Sequence, residues 1–186
     1  MKKVLFFVLC LASLTTACTG NPGVTKMDTT ASEEELVVTE DENNTGWTYS
    51  ETVDEMTDKT CYMASVVSEN SAEFGFPYDG GSFLTFVIRD SPQYGKDMFI
   101  AISKGQFNCS FNGEDIKIRF DSNEAFTVHC NGPSDMSQDY IFLNQRDFNK
   151  ILKLLKESKT MKINVEFFNE GAHTFTFNVE GLEWNH

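Results

Sequence analysis

Apolar and polar residues alternate with a period of two along most of the chain after residue 46. The clearest cases are the segments 115–120 and 161–168, where every second residue is apolar. This spacing predicts β-strands with one buried face. The segment 83–89 is nearly continuous in apolar residues, which favours a central strand. We predict strands over 46–50, 59–68, 83–89, 97–102, 106–111, 115–120, 125–130, 140–143, 161–168 and 172–179.

One stretch follows the helical period instead. Phe148, Ile151, Leu152 and Leu155 are spaced i, i+3, i+4 and i+7, which is the stripe of an amphipathic helix. Asn144 precedes this stretch and is a suitable N-cap residue. Nine or ten short strands and one helix predict a mainly β fold. We expect an antiparallel β-sandwich or flattened barrel with one amphipathic α-helix near the C-terminus.

A tight hairpin is predicted at the dipeptide Asn112-Gly113, which tolerates the positive φ angles of short turns. It would pair 106–111 with 115–120. If 125–130 pairs next, the three segments form a simple meander.

The first 17 residues have the pattern of a secretory signal: Lys2-Lys3, a short apolar run over 4–12 and small residues leading to Cys18. The apolar run is too short to span a bilayer comfortably as a helix. The end of this segment, Leu14-Thr15-Thr16-Ala17-Cys18, resembles the lipobox of bacterial lipoproteins. The resemblance implies cleavage before Cys18 and acylation of that cysteine. The alternative is an ordinary secretory signal cut near Ala17.

A strongly acidic segment follows Cys18. Seven acidic residues and no basic residue occur between 28 and 44, without a periodic apolar pattern. Such a segment cannot bury enough apolar surface to offset its ordering entropy. We therefore predict three parts: a signal peptide at 1–17, a lipidated cysteine with a disordered acidic tether at 18–45, and a single β-rich domain at 46–186.

The charge of the chain excludes some classes of function. The net charge is −13, and loss of the two lysines in the signal segment brings it to about −15. Nucleic-acid binding needs a basic patch that neutralises phosphates, so we exclude it. The chain contains no Gly-x-Ser-x-Gly, His-x-x-x-His or Cys-x-x-Cys motif. We expect a non-enzymatic protein with no catalytic residues, no metal site and no cofactor.

Three cysteines fall in the predicted domain, namely Cys61, Cys109 and Cys130. An odd number allows at most one intramolecular disulfide among them. Cys109 and Cys130 are both predicted to face the core. In a simple meander their strands would lie about 9.6 Å apart, whereas a disulfide needs Cα atoms within about 7 Å. A Cys109–Cys130 bond would therefore require one strand to cross to a facing sheet, and Cys61 is the rival partner.

Aromatic residues in two loops are candidate binding residues. Phe76 and Tyr78 lie in the Gly- and Pro-containing loop 69–82, and Tyr94 lies in the turn 91–96. Aromatic side chains near a sheet edge can stack on sugars or anchor a protein partner. The alternative is that Phe74 and Phe76 fold back into the core under the long loop.

The layout of 46–182 has three recognisable features. Trp47 is followed by Asp54-Glu55-Met56, and a central strand ends in arginine at Phe86-Val87-Ile88-Arg89. A late block then contains the amphipathic helix, a lysine-led strand and the tail from Gly171 to Leu182. This layout resembles small envelope proteins associated with type VI secretion, called VasI or TagO. The resemblance implies an accessory role in envelope secretion.

These observations lead to one functional expectation. We expect a lipoprotein anchored in the cell envelope, at the outer membrane on its periplasmic or surface face. Its partners would be the membrane, through the lipid on Cys18, and an envelope protein or glycan. The alternatives are a secretion-system accessory factor and a periplasmic or surface hydrolase.

Overall fold

A computed structural model describes residues 46–109 and 112–186. The predicted signal peptide at 1–17, the lipid site at Cys18 and the tether at 18–45 lie outside the described residues. Within them, nine strands and one α-helix follow in this order: β1 (Trp47–Asp54), β2 (Lys59–Val67), β3 (Leu84–Ser91), β4 (Gly95–Ile102), β5 (Glu114–Phe120), β6 (Phe126–Asn131), β7 (Tyr140–Leu143), α1 (Phe148–Glu157), β8 (Thr160–Phe167) and β9 (Gly171–Asn178). The prediction of a mainly β fold with one C-terminal helix is confirmed.

The strands form one antiparallel sheet in the order β1-β2-β3-β4-β7-β6-β5-β8-β9. Its two ends approach each other. The amide of Glu69, just after β2, donates to the carbonyl of Thr176 in β9 at 2.7 Å, and the indole Nε1 of Trp47 donates to the carbonyl of Val179 at 3.0 Å. No strand ladder joins β1 or β2 to β9 in the described part of the chain. The sheet therefore curls around its core without closing, which is compatible with a flattened barrel.

The core lies between one face of this sheet and the apolar stripe of α1. Phe148, Ile151 and Leu155 of the helix are buried against strand residues. The Asn144 side chain accepts a hydrogen bond from the amide of Arg146 at 3.1 Å. It thereby caps a short 3-10 turn, Gln145–Asp147, that leads into α1. Across the described ranges, no helix is both long and apolar enough to cross a membrane.

The predicted hairpin at Asn112-Gly113 is wrong. β5 pairs with β6 along one edge, and residues 117–120 of its other edge pair with β8, so 106–109 cannot pair with them as predicted. Within 106–109, Phe107 instead forms an isolated bridge to Phe167, and residues 110 and 111 lie outside the described residues. Phe107 is fully buried. The alternation of apolar and polar residues in this segment reflects burial of alternate side chains. It does not show that the segment pairs with a neighbouring strand.

Candidate binding site

The outer face of the sheet, turned away from the core, carries a cleft over β3, β4 and β7. Successive residues of a strand point to opposite faces. In β4 this places Met98 and Ile100 in the core and Asp97 and Phe99 on the outer face. The cleft has a volume of about 560 Å³, within the roughly 300–1,000 Å³ of small-molecule sites. We call it the aromatic cleft, and it is lined by Arg89, Tyr94, Asp97, Phe99, Ala101, Pro133, Ser134, Asp135, Tyr140 and Phe142.

Strand register brings the aromatic rings of the cleft together. Phe99 of β4 lies opposite Phe142 of β7, and Ala101 lies opposite Tyr140. The ring centroids of Phe99 and Phe142 are 5.4 Å apart, those of Tyr140 and Phe142 are 5.6 Å apart, and those of Phe99 and Tyr140 are 6.4 Å apart. The rings meet tilted or edge to face, which is the arrangement that aromatic pairs prefer. They form one continuous wall on rigid strands.

An ion pair lies among the residues that line the cleft. Arg89 of β3 lies directly opposite Asp97 of β4. Its Nε donates to Oδ1 of Asp97 at 2.9 Å and its Nη2 donates to Oδ2. Both side chains are only 19% exposed. The hydrogen bond with Asp97 raises the pKa of Arg89 despite partial burial. Arg89 is therefore a fixed positive charge that lines the cleft.

Aromatic rings surround the guanidinium group of that pair. Its carbon atom lies 5.0 Å from the ring centroid of Tyr94, 5.4 Å from that of Phe99 and 5.7 Å from that of Phe142. All three distances are within the range of cation–π attraction. One carboxylate and three rings thus hold Arg89 in place.

The loop between β6 and β7 supplies the polar rim of the cleft. Oδ2 of Asp135 accepts a hydrogen bond from the Tyr140 hydroxyl at 3.1 Å, and Oδ1 accepts one from the amide of Ser137 at 3.0 Å. Desolvation and the bond to Asp135 raise the pKa of Tyr140. The phenol therefore stays protonated and keeps donating to Asp135.

Of the three predicted binding aromatics, Tyr94 lines the aromatic cleft and Phe76 and Tyr78 do not. Tyr94 lies in the turn before β4, whereas Lys104, just beyond the other end of β4, donates from Nζ to the carbonyl of Asp79 at 2.7 Å. Since β4 has eight residues, it is roughly 26 Å long. The predicted residues therefore lie at opposite ends of the β3–β4 hairpin.

The loop that contains Phe76 places Phe74 and Phe76 in different surroundings, whereas the alternative prediction had both of them in the core. Phe74 is buried, with its ring centroid 4.9 Å from that of Phe167. Phe76, two residues later, is 91% exposed, and Tyr78 is half-buried against the core. Only Phe74 of the pair folds back under the loop.

Tyr94 is the one cleft residue among the predicted binding residues, and the residues missed include Arg89, Asp97, Phe99 and Phe142. A partial signal existed for two of them. Arg89 ends one predicted strand and Asp97 begins the next after a short turn, so a cross-strand pair of opposite charges could have been inferred. The two phenylalanines carried no such signal because they resemble ordinary core residues in the sequence.

Cys109 and Cys130 do not belong to the aromatic cleft. The structure contains both as thiols, with Cys130 buried and Cys109 half-buried. Burial raises the pKa of each thiol, strongly for Cys130, and the charge of Glu114 adds to the rise in both cases. Neither is a ready nucleophile, because the thiolate is the reactive form. A disulfide between them stays a prediction.

Within the described ranges, no three His, Cys, Asp or Glu side chains are placed to share a metal ion. His129 and Asp115 form a pair on the outer face, with Nδ1 and Oδ1 2.8 Å apart. A pair of this kind supplies at most two of the ligands that a metal needs.

Comparison with known proteins identifies no relative: no family model, no curated protein and no solved structure matches this chain. The chemistry of the aromatic cleft therefore has to be inferred from its own residues.

Proposed function

We propose that this protein is a lipid-anchored, non-enzymatic binding module of the bacterial cell envelope, and that its ligand, a glycan or a protein segment, occupies the aromatic cleft. The observation that carries the proposal is the cleft itself. Four aromatic side chains line it on a sheet face that the core does not use, and three of them lie around a fixed ion pair. Apolar walls with a few fixed polar groups are typical of ligand sites.

The carboxylates of the cleft support binding over catalysis. Asp97 is held by Arg89 through two hydrogen bonds. Asp135 accepts hydrogen bonds from Tyr140 and from the backbone of Ser137. A catalytic acid or base must exchange a proton with its substrate. Both carboxylates instead have structural bonds that keep the cleft in shape.

The membrane anchor in this proposal rests on the N-terminal sequence. The lipobox-like segment ending at Cys18 would attach the chain to the outer membrane, and the acidic residues of 18–45 would separate the domain from the lipid surface. Incorporation of a fatty-acid analogue tests this point. We expect labelling of the wild-type protein and none of Cys18→Ser. A wild-type protein without label would contradict the anchor.

Site-specific photo-crosslinking in the native host tests the cleft. A photoreactive phenylalanine analogue at Tyr94 keeps a ring at the cleft, and the same analogue at Phe76 is a matched control on an exposed ring at the other end of β4. We expect a discrete adduct from position 94 and none from position 76. Absence of an adduct at position 94, or equal yields at both positions, would show that the cleft is not the binding site.

A further inference from the structure

We infer that the ligand of the aromatic cleft is a neutral carbohydrate, an inference that rests on the proposed binding function. The electrostatics of the cleft give the first reason. It contains one cation, Arg89, and two carboxylates, Asp97 and Asp135, in a chain of net charge −13. An anionic ligand would be repelled by this excess of negative charge. A cationic ligand would be repelled by Arg89, whose guanidinium group lies among the aromatic rings of the cleft.

The balance of hydrogen-bonding groups gives the second reason. Each carboxylate oxygen has two lone pairs, and the four oxygens of Asp97 and Asp135 have more acceptor sites than their four described hydrogen bonds use. Arg89 keeps N–H groups beyond the two directed at Asp97. A ligand that offers donors to the carboxylates and acceptors to Arg89 while remaining uncharged would match these groups. Hydroxyl groups satisfy all three conditions.

The same balance distinguishes a sugar from a proline-rich peptide, the other neutral ligand that aromatic grooves commonly hold. Proline has no backbone N–H and brings only carbonyl acceptors. Such a peptide would leave the acceptor-rich rim around Asp135 without donors. It would also find no donor in the Tyr140 hydroxyl, because that hydroxyl already bonds to Asp135.

The position of Tyr94 gives the third reason. The guanidinium carbon of Arg89 lies 5.0 Å from the Tyr94 ring centroid, so one face of the ring covers the ion pair. The side chain is nevertheless 63% exposed, so much of the ring is open to solvent. A sugar ring presents a face of C–H bonds with hydroxyls around its edge. It can stack on the open part of Tyr94 while those hydroxyls reach polar groups of the cleft that the ring does not cover, such as Asp135.

Binding measurements on the full-length protein test this assignment. The protein is purified in a detergent without a sugar head group. The probes are short neutral oligosaccharides of glucose, mannose, galactose and N-acetylglucosamine, together with oligoproline and oligolysine peptides. Saturation-transfer NMR identifies the bound probe, and calorimetry gives its affinity. We expect saturable binding of at least one oligosaccharide and of neither peptide. Binding of a peptide alone, or of no oligosaccharide, would overturn the carbohydrate inference.

Three variants locate the binding. Tyr94→Ala is expected to weaken oligosaccharide binding roughly two- to twelvefold, since aromatic contacts contribute about 0.5–1.5 kcal/mol. Tyr94→Phe keeps the ring and should bind as the wild type does. Phe76→Ala removes a ring outside the cleft that is even more exposed than Tyr94 and should have no effect. A loss in Phe76→Ala without a loss in Tyr94→Ala would overturn the assignment.

The crosslinking experiment separates this inference from the proposed function. An adduct at position 94 that reacts with periodate and resists protease supports both. A protease-sensitive protein adduct at the same position keeps the binding function and overturns the carbohydrate ligand. Absence of any adduct at position 94 overturns both.

Discussion

Removing either partner of the Arg89–Asp97 pair is expected to destabilise the domain, and removing Arg89 is expected to cost more. Exposed ion pairs contribute roughly 0–1 kcal/mol, whereas loss of one partner from a buried pair costs about 3–5 kcal/mol. Both side chains here are 19% exposed, which places the pair between these limits. We therefore expect Asp97→Asn to lower the free energy of unfolding by about 1–2 kcal/mol.

The rings around the pair make the two substitutions unequal. In Asp97→Asn, the guanidinium group still faces Tyr94, Phe99 and Phe142, and these contacts favour a cation. In Arg89→Met, the carboxylate of Asp97 loses both hydrogen bonds and its counter-ion although it is only 19% exposed. We therefore expect Arg89→Met to cost about 2–3 kcal/mol, roughly 1 kcal/mol more than Asp97→Asn.

Urea unfolding of the wild type, both single variants and the double variant measures the costs and the coupling energy of the pair. The neighbouring pair on the same hairpin is a matched control. Lys96 Nζ lies 3.6 Å from Asp90 Oδ2, with side-chain exposures of 48% and 29%. We expect Lys96→Met to cost less than about 1 kcal/mol. Two results would contradict this prediction. One is an equal loss of unfolding free energy in Asp97→Asn and Arg89→Met. The other is a coupling energy between Arg89 and Asp97 that does not exceed the one between Lys96 and Asp90.

Three further predictions concern other parts of the domain. Gly105 has a φ of +114°, and a Cβ there would lie 2.6 Å from Cε2 of Phe74. Gly105→Ala should therefore cost about 1–3 kcal/mol in urea unfolding, and more than Gly95→Ala, where a Cβ meets no atom within 4 Å. Because burial raises the pKa of the Cys130 thiol, iodoacetamide should alkylate it only after unfolding, as mass spectrometry would show. Burial also raises the pKa of Glu114 above 4.5, so the folded state loses stability as pH rises through the folded-state pKa. Glu114→Gln should therefore have a higher Tm than the wild type at pH 7, with a difference that disappears towards pH 4; an equal difference at both pH values would contradict this.

The strands could be predicted from the sequence because the alternation of apolar and polar residues follows directly from which side chains are buried. β7, Tyr140–Leu143, has the predicted limits, and the stripe Phe148, Ile151 and Leu155 is the buried face of α1. The partners of each strand could not be predicted in the same way. β5 pairs with β8, about forty residues further along the chain, and its alternation would be the same beside any neighbour.

The aromatic cleft was harder to predict because both faces of β4 carry apolar side chains. Met98, Phe99 and Ile100 are consecutive, and nothing in their order distinguishes the outer ring from the core residues on either side. The rule that loop aromatics are binding candidates found Tyr94. The same rule selected Phe76 and Tyr78, which the fold places far from the cleft.

Tyr94 and Phe76 differ in how firmly their rings are held, and this difference affects how well each could bind a ligand. Tyr94 stands over a guanidinium group that an adjacent strand holds by register, whereas Phe76 is 91% exposed on a loop. A ring fixed by such contacts loses less conformational freedom when a ligand stacks on it. Exposure alone would therefore select the wrong ring. The strand register that places Arg89 opposite Asp97 and Phe99 opposite Phe142 makes the cleft the better candidate.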